Sequence, residues 1–168
     1  MNSRIQVEHP VTEMITGIDL GAAMLRIAGD EKLWIAHDDV QIRGHASEVR
    51  LNAEDPASGF APFPGTISDL RLPGGPGVRF DSMLYAGYTV PPFYDSLLAK
   101  LIVHADSREA AITRLARALS ETKIEGCKTT KPLFLALAAD PSVRAGAFHT
   151  HWLESRLDEN SARLSPDT

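Results

Sequence analysis

Residues 44–52 read Gly44-His45-Ala46-Ser47-Glu48-Val49-Arg50-Leu51-Asn52, a stretch that alternates with a period of two. That period predicts a strand whose polar face carries Glu48, Arg50 and Asn52 and whose other face turns Val49 and Leu51 toward a core. A strand buried on one side only belongs to an antiparallel or mixed sheet with helices on its covered face. Upstream, Asp19 precedes Leu20, Ala23, Met24 and Ile27 at helical spacing, and Gly29 stands in the C′ position, which predicts a helix over 19–28. Val11 to Thr16 reads as a further helical turn, interrupted by Gly17.

Downstream, Asp55 to Gly65 is dense in Pro, Gly and Ser and reads as a loop. Thr66–Leu72 and Val78–Leu84 flank Pro73-Gly74-Gly75-Pro76-Gly77 and predict a hairpin, and Leu97–His104 is apolar enough for a buried strand. Asp106 or Ser107 caps a helix that runs to about Thr122, with Ile112, Leu115, Ala116 and Leu119 on one face. Thr130 and Pro132 open another helix, which Asp140-Pro141 ends, and a last one spans Thr150–Leu157 before a polar tail. Mixed elements without regular strand–helix alternation define an α+β fold with a mixed or antiparallel sheet and flanking helices.

The chain has 168 residues, 17 Lys and Arg against 22 Asp and Glu, and a formal net charge of −5. That size supports one sizeable core, and the acidic balance with no basic block argues against nucleic acid or an anionic membrane as a partner. The longest apolar run, Leu133–Ala139, falls far short of the roughly 20 residues of a spanning helix. Arg4 and Glu8 stand where a secretory signal would be apolar, and the single cysteine, Cys127, gives no internal disulfide. A cytoplasmic location is the expectation.

Residues 1–10, Met1-Asn2-Ser3-Arg4-Ile5-Gln6-Val7-Glu8-His9-Pro10, are rich in groups that bind or move protons. If residues 2–8 are extended, Asn2, Arg4, Gln6 and Glu8 project from one face. Such a row offers a guanidinium for an oxyanion, a carboxylate as base and amides to orient a ligand; it is equally the pattern of a solvated edge strand. Convergence with the polar face of 44–52 would place Arg4, Glu8 and Arg50 around one small anion, whereas a surface Glu8–Arg50 or Glu48–Arg50 pair explains the same residues. Gly74-Gly75-Pro76-Gly77 lacks the following helix of a phosphate cradle. His149 and His151 lack a third ligand nearby, Cys127 lacks a partner that would stabilise a thiolate, and Asp95 and Ser96 lack a usefully spaced histidine.

Met1 to Met14 resembles the active-site signature of the biotin carboxylases, ATP-grasp enzymes of the acyl-CoA and pyruvate carboxylases. Arg43 to Pro56 resembles the family's next signature, and Tyr94-Asp95-Ser96-Leu97-Leu98-Ala99-Lys100-Leu101 resembles a third. Together they imply the end of an ATP-grasp domain over 1–40, the biotin carboxylase C-terminal domain over 41–157 and a polar tail over 158–168. The resemblance implies a bicarbonate site at Arg4 and the Val7 backbone, with Glu8 as the base that takes the bicarbonate proton. It implies that bicarbonate attacks the γ-phosphate of ATP, with Mg²⁺ or Mn²⁺, to give carboxyphosphate. Carboxyphosphate then yields CO₂ and a phosphate that deprotonates biotin held on a carrier protein, and Arg50 stabilises the biotin enolate. Gln6 falls on a biotin contact and Asn2 on a group near the metal ions and phosphates.

The implied partners are a biotin carboxyl carrier domain, a carboxyltransferase component and a second copy of the chain. Gly75-Pro76-Gly77-Val78-Arg79 resembles the family's dimerisation stretch, with Pro76 where an aromatic is often found. The family's metal-binding glutamates precede the residue matching Met1 and do not occur in this sequence. The expectation is therefore a C-terminal third of a biotin carboxylase that does not hydrolyse ATP by itself and exposes apolar surface around residues 1–28. The alternative is a non-enzymatic module that binds a carboxylase subunit or a biotinyl domain.

Overall fold

Strand β1 (His45–Asn52) forms over the period-two stretch and pairs antiparallel with β6 (Leu97–Ala105), which pairs on its other edge with β5 (Val78–Ser82). A computed structural model describes residues 2–157. Its registers place Val49 beside Leu101 beside Phe80, and Arg50 beside Lys100 beside Asp81. Because side chains alternate across a strand, the sheet has one apolar face and one face rich in charge.

Helix α3 (Arg108–Glu121) covers the apolar face, as its spacing predicts, with the Ser107 side chain accepting from Ala110 N–H at its start. Ala111, Leu115, Ala118 and Leu119 pack there on Val49, Leu51, Leu101 and Val103. Each Leu or Val so buried contributes about 1.5–3 kcal/mol, so this layer carries the stability. Helix α4 (Lys131–Ala139) leans on α3, and α5 (Pro141–Ala145) follows after Asp140. Residues 152–157 are helical, and the polar tail over 158–168 lies outside the described residues.

The opposite face receives α1 (His9–Thr16), which begins two residues earlier than the expected turn and ends at left-handed Gly17. Helix α2 (Leu20–Ala28) follows directly, its Ala22 N–H donating to the Asp19 side chain. At its end it is Asp30, not Gly29, that takes the positive φ. Among the described residues no helix is long and apolar enough to cross a membrane.

Two expectations are corrected. The flanks of Pro73–Gly77 do not pair with each other: β4 (Asp69–Arg71) pairs with β7 (Lys123–Glu125), and β5 pairs with β6. The reason is that the two strands serve different cores. Leu70 packs with Ile67, Leu84, Val90 and Leu98 in a second apolar cluster, whereas Val78 and Phe80 pack under α3. The 55–65 loop is also more ordered than its composition implies, since β2 (Glu54–Asp55) pairs with β3 (Ala61–Pro62). Buried Asp55 holds this turn by accepting from Lys128 Nζ at 2.6 Å, Ser58 Oγ at 2.8 Å and Ala57 N–H at 3.1 Å. Cys127 packs half-buried on the second cluster, and burial pushes its thiol up, away from a reactive thiolate.

The end of β1 is pinned by Thr130. Its hydroxyl accepts from Asn52 N–H at 3.0 Å and donates to the Arg50 carbonyl at 3.1 Å, bridging the register shift between Leu51 and Asn52. Thr130→Val keeps the shape and leaves both backbone groups without that partner. It is expected to cost about 1–3 kcal/mol, read as a lower denaturation midpoint at an unchanged m-value.

Candidate active site

The charged face of the sheet and the segment laid over it define the site. Residues 2–6 form no strand, and Val7 and Glu8 turn into α1, so the row expected of an extended 2–8 segment is replaced by a turn. Exposure still alternates from Arg4 to Glu8: Arg4, Gln6 and Glu8 face solvent, whereas Ile5 and Val7 are half-buried. Asn2 is exposed at the start of the segment. The Gln6 carbonyl accepts from His9 N–H at 3.2 Å and lies 2.7 Å from His9 Nδ1, which locks the turn.

The turn brings Glu8 to Arg50, 42 positions away in sequence. Arg50 Nη2 donates to Glu8 Oε1 at 2.5 Å, with side chains 47% and 51% exposed. The Glu8 carboxyl is held below the usual range first by its own backbone N–H, against the opposing effect of burial, and then by Arg50 and Arg4. Arg4 donates to the Ile5 carbonyl at 3.2 Å and keeps most of its guanidinium donors for a ligand. Arg4, Glu8 and Arg50 are therefore one electrostatic group.

The segment is tied down at two more points. Lys100 Nζ donates to the Val7 carbonyl at 3.2 Å. Farther along, Arg79 Nη1 donates to Glu13 Oε2 at 2.6 Å, while its Nε and Nη2 grip Asp81. Burial pushes the Glu13 carboxyl up, but Arg79 and the Leu20 N–H outweigh it and hold it below the usual range. Arg79 thus anchors α1 to β5, next to the exposed Pro76 turn.

Glu48 is the residue whose environment composition alone did not reveal. Both its carboxylate oxygens are sealed from solvent and find no donor among the described residues. Burial pushes its carboxyl up, and Glu8 adds to this, against the pull of Lys100, Arg50 and His9. Lys100 was legible only as a cation interrupting the apolar run of β6, and lysine is rarely buried unless something uses its charge. His151 lies beside Glu154 near the end of the described chain, remote in sequence from this group, and among the described residues no cluster of three or more His, Cys, Asp or Glu is placed to hold a metal ion.

A face presenting cations beside an ionised carboxylate, at the start of a helix, is the kind of site that binds a small oxyanion and takes a proton from it. The sequence matches the family described as the biotin carboxylase C-terminal domain over residues 48–155, and the carbamoyl-phosphate synthase L chain ATP binding domain over 1–36. The chain belongs to the biotin carboxylase C-terminal domain family.

It is 52% identical over 160 residues to the biotin carboxylase of Haemophilus influenzae, covering 95% of this chain and 36% of that protein. It is 50% identical over 157 residues to the biotin carboxylase of Pseudomonas aeruginosa, covering 94% and 35%. The structure of the biotin carboxylase domain of a thermophilic 2-oxoglutarate carboxylase bound to bicarbonate matches with a TM-score of 0.90 at 48% identity, covering 92% of this chain and 35% of that one. The Hydrogenobacter thermophilus 2-oxoglutarate carboxylase domain, described as a dimer with MgADP, ADP and bicarbonate, matches with a TM-score of 0.90 at 45% identity, covering 99% and 36%. The chain thus spans about a third of the length of these relatives, and the α+β reading agrees with their fold.

Glu48 and Glu8 have opposite linkage to pH. A carboxyl whose folded pKa is raised binds its proton more tightly in the folded state, so stability is lost as pH rises from the unfolded value through the folded one. Glu48→Gln removes this loss and is expected to stabilise the chain at pH 8 by on the order of 1 kcal/mol. The gain should vanish below about pH 4, near the unfolded glutamate pKa. Thermal melting of both proteins across that range checks it, and a constant difference at every pH would contradict the assignment.

Proposed function

We propose that this chain supplies the bicarbonate- and biotin-binding side of an ATP-dependent biotin carboxylase site. The observation that carries the reading is the Glu8–Arg50 pair with Arg4 beside it, which joins the first two signatures at one point. Arg4 grips bicarbonate through the fork of its guanidinium, and the Val7 backbone N–H adds a neutral donor. Glu8, already ionised at neutral pH, accepts the bicarbonate proton. Arg50 has donors beyond the one given to Glu8 and turns them on the oxyanion that develops on the biotin ureido group, where a fixed cation in a water-poor cleft contributes most. Gln6 contacts biotin from the same side.

The metal fits less well. Mg²⁺ favours several oxygen ligands, carboxylates foremost, and of the residues carried over from the family only Asn2, a neutral amide, falls near it. The described residues do not build a magnesium site, and we assign them no step through the metal or the nucleotide. ATP-dependent turnover accordingly requires the nucleotide-binding residues of a complete biotin carboxylase, and the 168 residues alone are inactive in this reading. We further assign residues 1–40 to the end of the ATP-grasp domain and 41–157 to the C-terminal domain. The partners in a complete enzyme are a biotin carboxyl carrier domain, a carboxyltransferase component and a second copy through the Gly75–Arg79 edge.

The test combines this chain with the remaining N-terminal portion of the H. influenzae biotin carboxylase and follows bicarbonate-dependent ADP release and carboxylation of free biotin. Turnover is expected with the parent chain, reduced about 100-fold or more by Glu8→Gln and by Arg50→Gln. No turnover with a folded, bound complement counts against the reading. Capture of a biotinyl domain without turnover would favour the interaction-module alternative.

A further inference from the structure

The most buried strand of the sheet carries one cation in the middle of its apolar run. The side chain of Lys100 is 14% exposed, and its nearest acceptor is the Val7 carbonyl at 3.2 Å, with Asp81 Oδ2 at 3.8 Å. Asp81 pairs with the ammonium only at the longer distance, because Arg79 holds both its oxygens, from Nε at 2.9 and 3.1 Å and from Nη2 at 2.9 Å. The contact that Lys100 makes best is therefore with the backbone of the site.

That carbonyl belongs to the same rigid amide plane as the N–H of Glu8. Holding the Val7 oxygen sets the direction in which the Glu8 N–H points, and a cation on the oxygen polarises the amide and strengthens that donor. The Glu8 N–H is the group that does most to keep the Glu8 carboxylate ionised.

We propose that Lys100 is a positioning residue for Glu8: through the Val7 carbonyl it sets the Val7–Glu8 peptide, and with it the direction from which the Glu8 carboxylate meets the anion. The inference rests on Val7 and Glu8 being the bicarbonate site. A methionine of similar length would fill the same space, so packing alone does not require the charge. The other charged groups around Glu8 are Arg4 before it, His9 on α1, and Arg50 and Glu48 on β1, with Asp81 on β5 beyond Lys100.

The experiment uses the whole chain with side-chain ¹³C-labelled glutamate, the Glu8 signal being assigned by its loss in Glu8→Gln. In Lys100→Met the Glu8 titration midpoint should rise by about half a unit, and Lys100→Arg should restore it. Binding of ¹³C-bicarbonate should weaken about tenfold in Lys100→Met. An unchanged midpoint in folded Lys100→Met overturns the proposal, even where bicarbonate still binds the parent. A shifted midpoint in a chain to which bicarbonate never binds leaves Lys100 in its role and removes the bicarbonate reading instead. Should Lys100→Met fail to fold, Lys100→Gln is read in its place, with the same two outcomes.

Discussion

Arg50, Lys100 and Asp81 stand side by side on one face of a three-stranded sheet, in register across β1, β6 and β5. On the other face the same strands are apolar and pressed under α3. The charged row would be a liability if left bare and half-buried, and it is satisfied by what lies over it: Glu8 on Arg50, the Val7 carbonyl on Lys100, and Arg79 on Asp81 with Glu13 behind. The segment from Arg4 to Thr16 is thus tied to the sheet by polar contacts as well as by the buried Pro10 and its partly buried apolar side chains.

This division decides where stability and where chemistry reside. An ion pair half open to solvent contributes about 0–1 kcal/mol, so the Glu8–Arg50 contact does little to hold the fold. The α3 layer does that, with side chains each worth more than the pair. Because the fold does not lean on Glu8 and Arg50, both remain free to exchange partners with a ligand. The apolar side chains left open nearby, Met24, Ile27 and Leu33 beside Ile18 and Leu20, belong to the same half of the molecule and line a shared groove.

Local pattern told which face of an element is apolar, and for that reason β1, β6, α2, α3 and α4 were legible in the sequence. It did not tell which strand pairs with which. Thr66–Leu72 and Val78–Leu84 look like a hairpin because the turn between them is well formed, but pairing was decided by Leu70 and Ile124 meeting in the second cluster. The candidate site divides in the same way. The alternating exposure of Arg4, Gln6 and Glu8 and a pairing of Glu8 with Arg50 could be read, whereas the turn at Val7–Glu8 and the contact of Lys100 with the Val7 carbonyl, spanning 93 positions, could not.

Two carboxylates near each other on this face are driven in opposite directions, and the geometry explains why both are tolerated. Glu8 is exposed, takes its own N–H and Arg50, and stays ionised; Glu48 is buried beneath, without a donor among the described residues, and is pushed toward its neutral form. Two fully exposed carboxylates here would offset the charges of Arg50 and Lys100. Because burial opposes the charge on Glu48, the groups of this face that stand most open to a ligand are Arg4, Glu8 and Arg50. A small anion approaching a protein of net charge −5 needs a local site of opposite sign, and two exposed arginines beside one exposed carboxylate supply it.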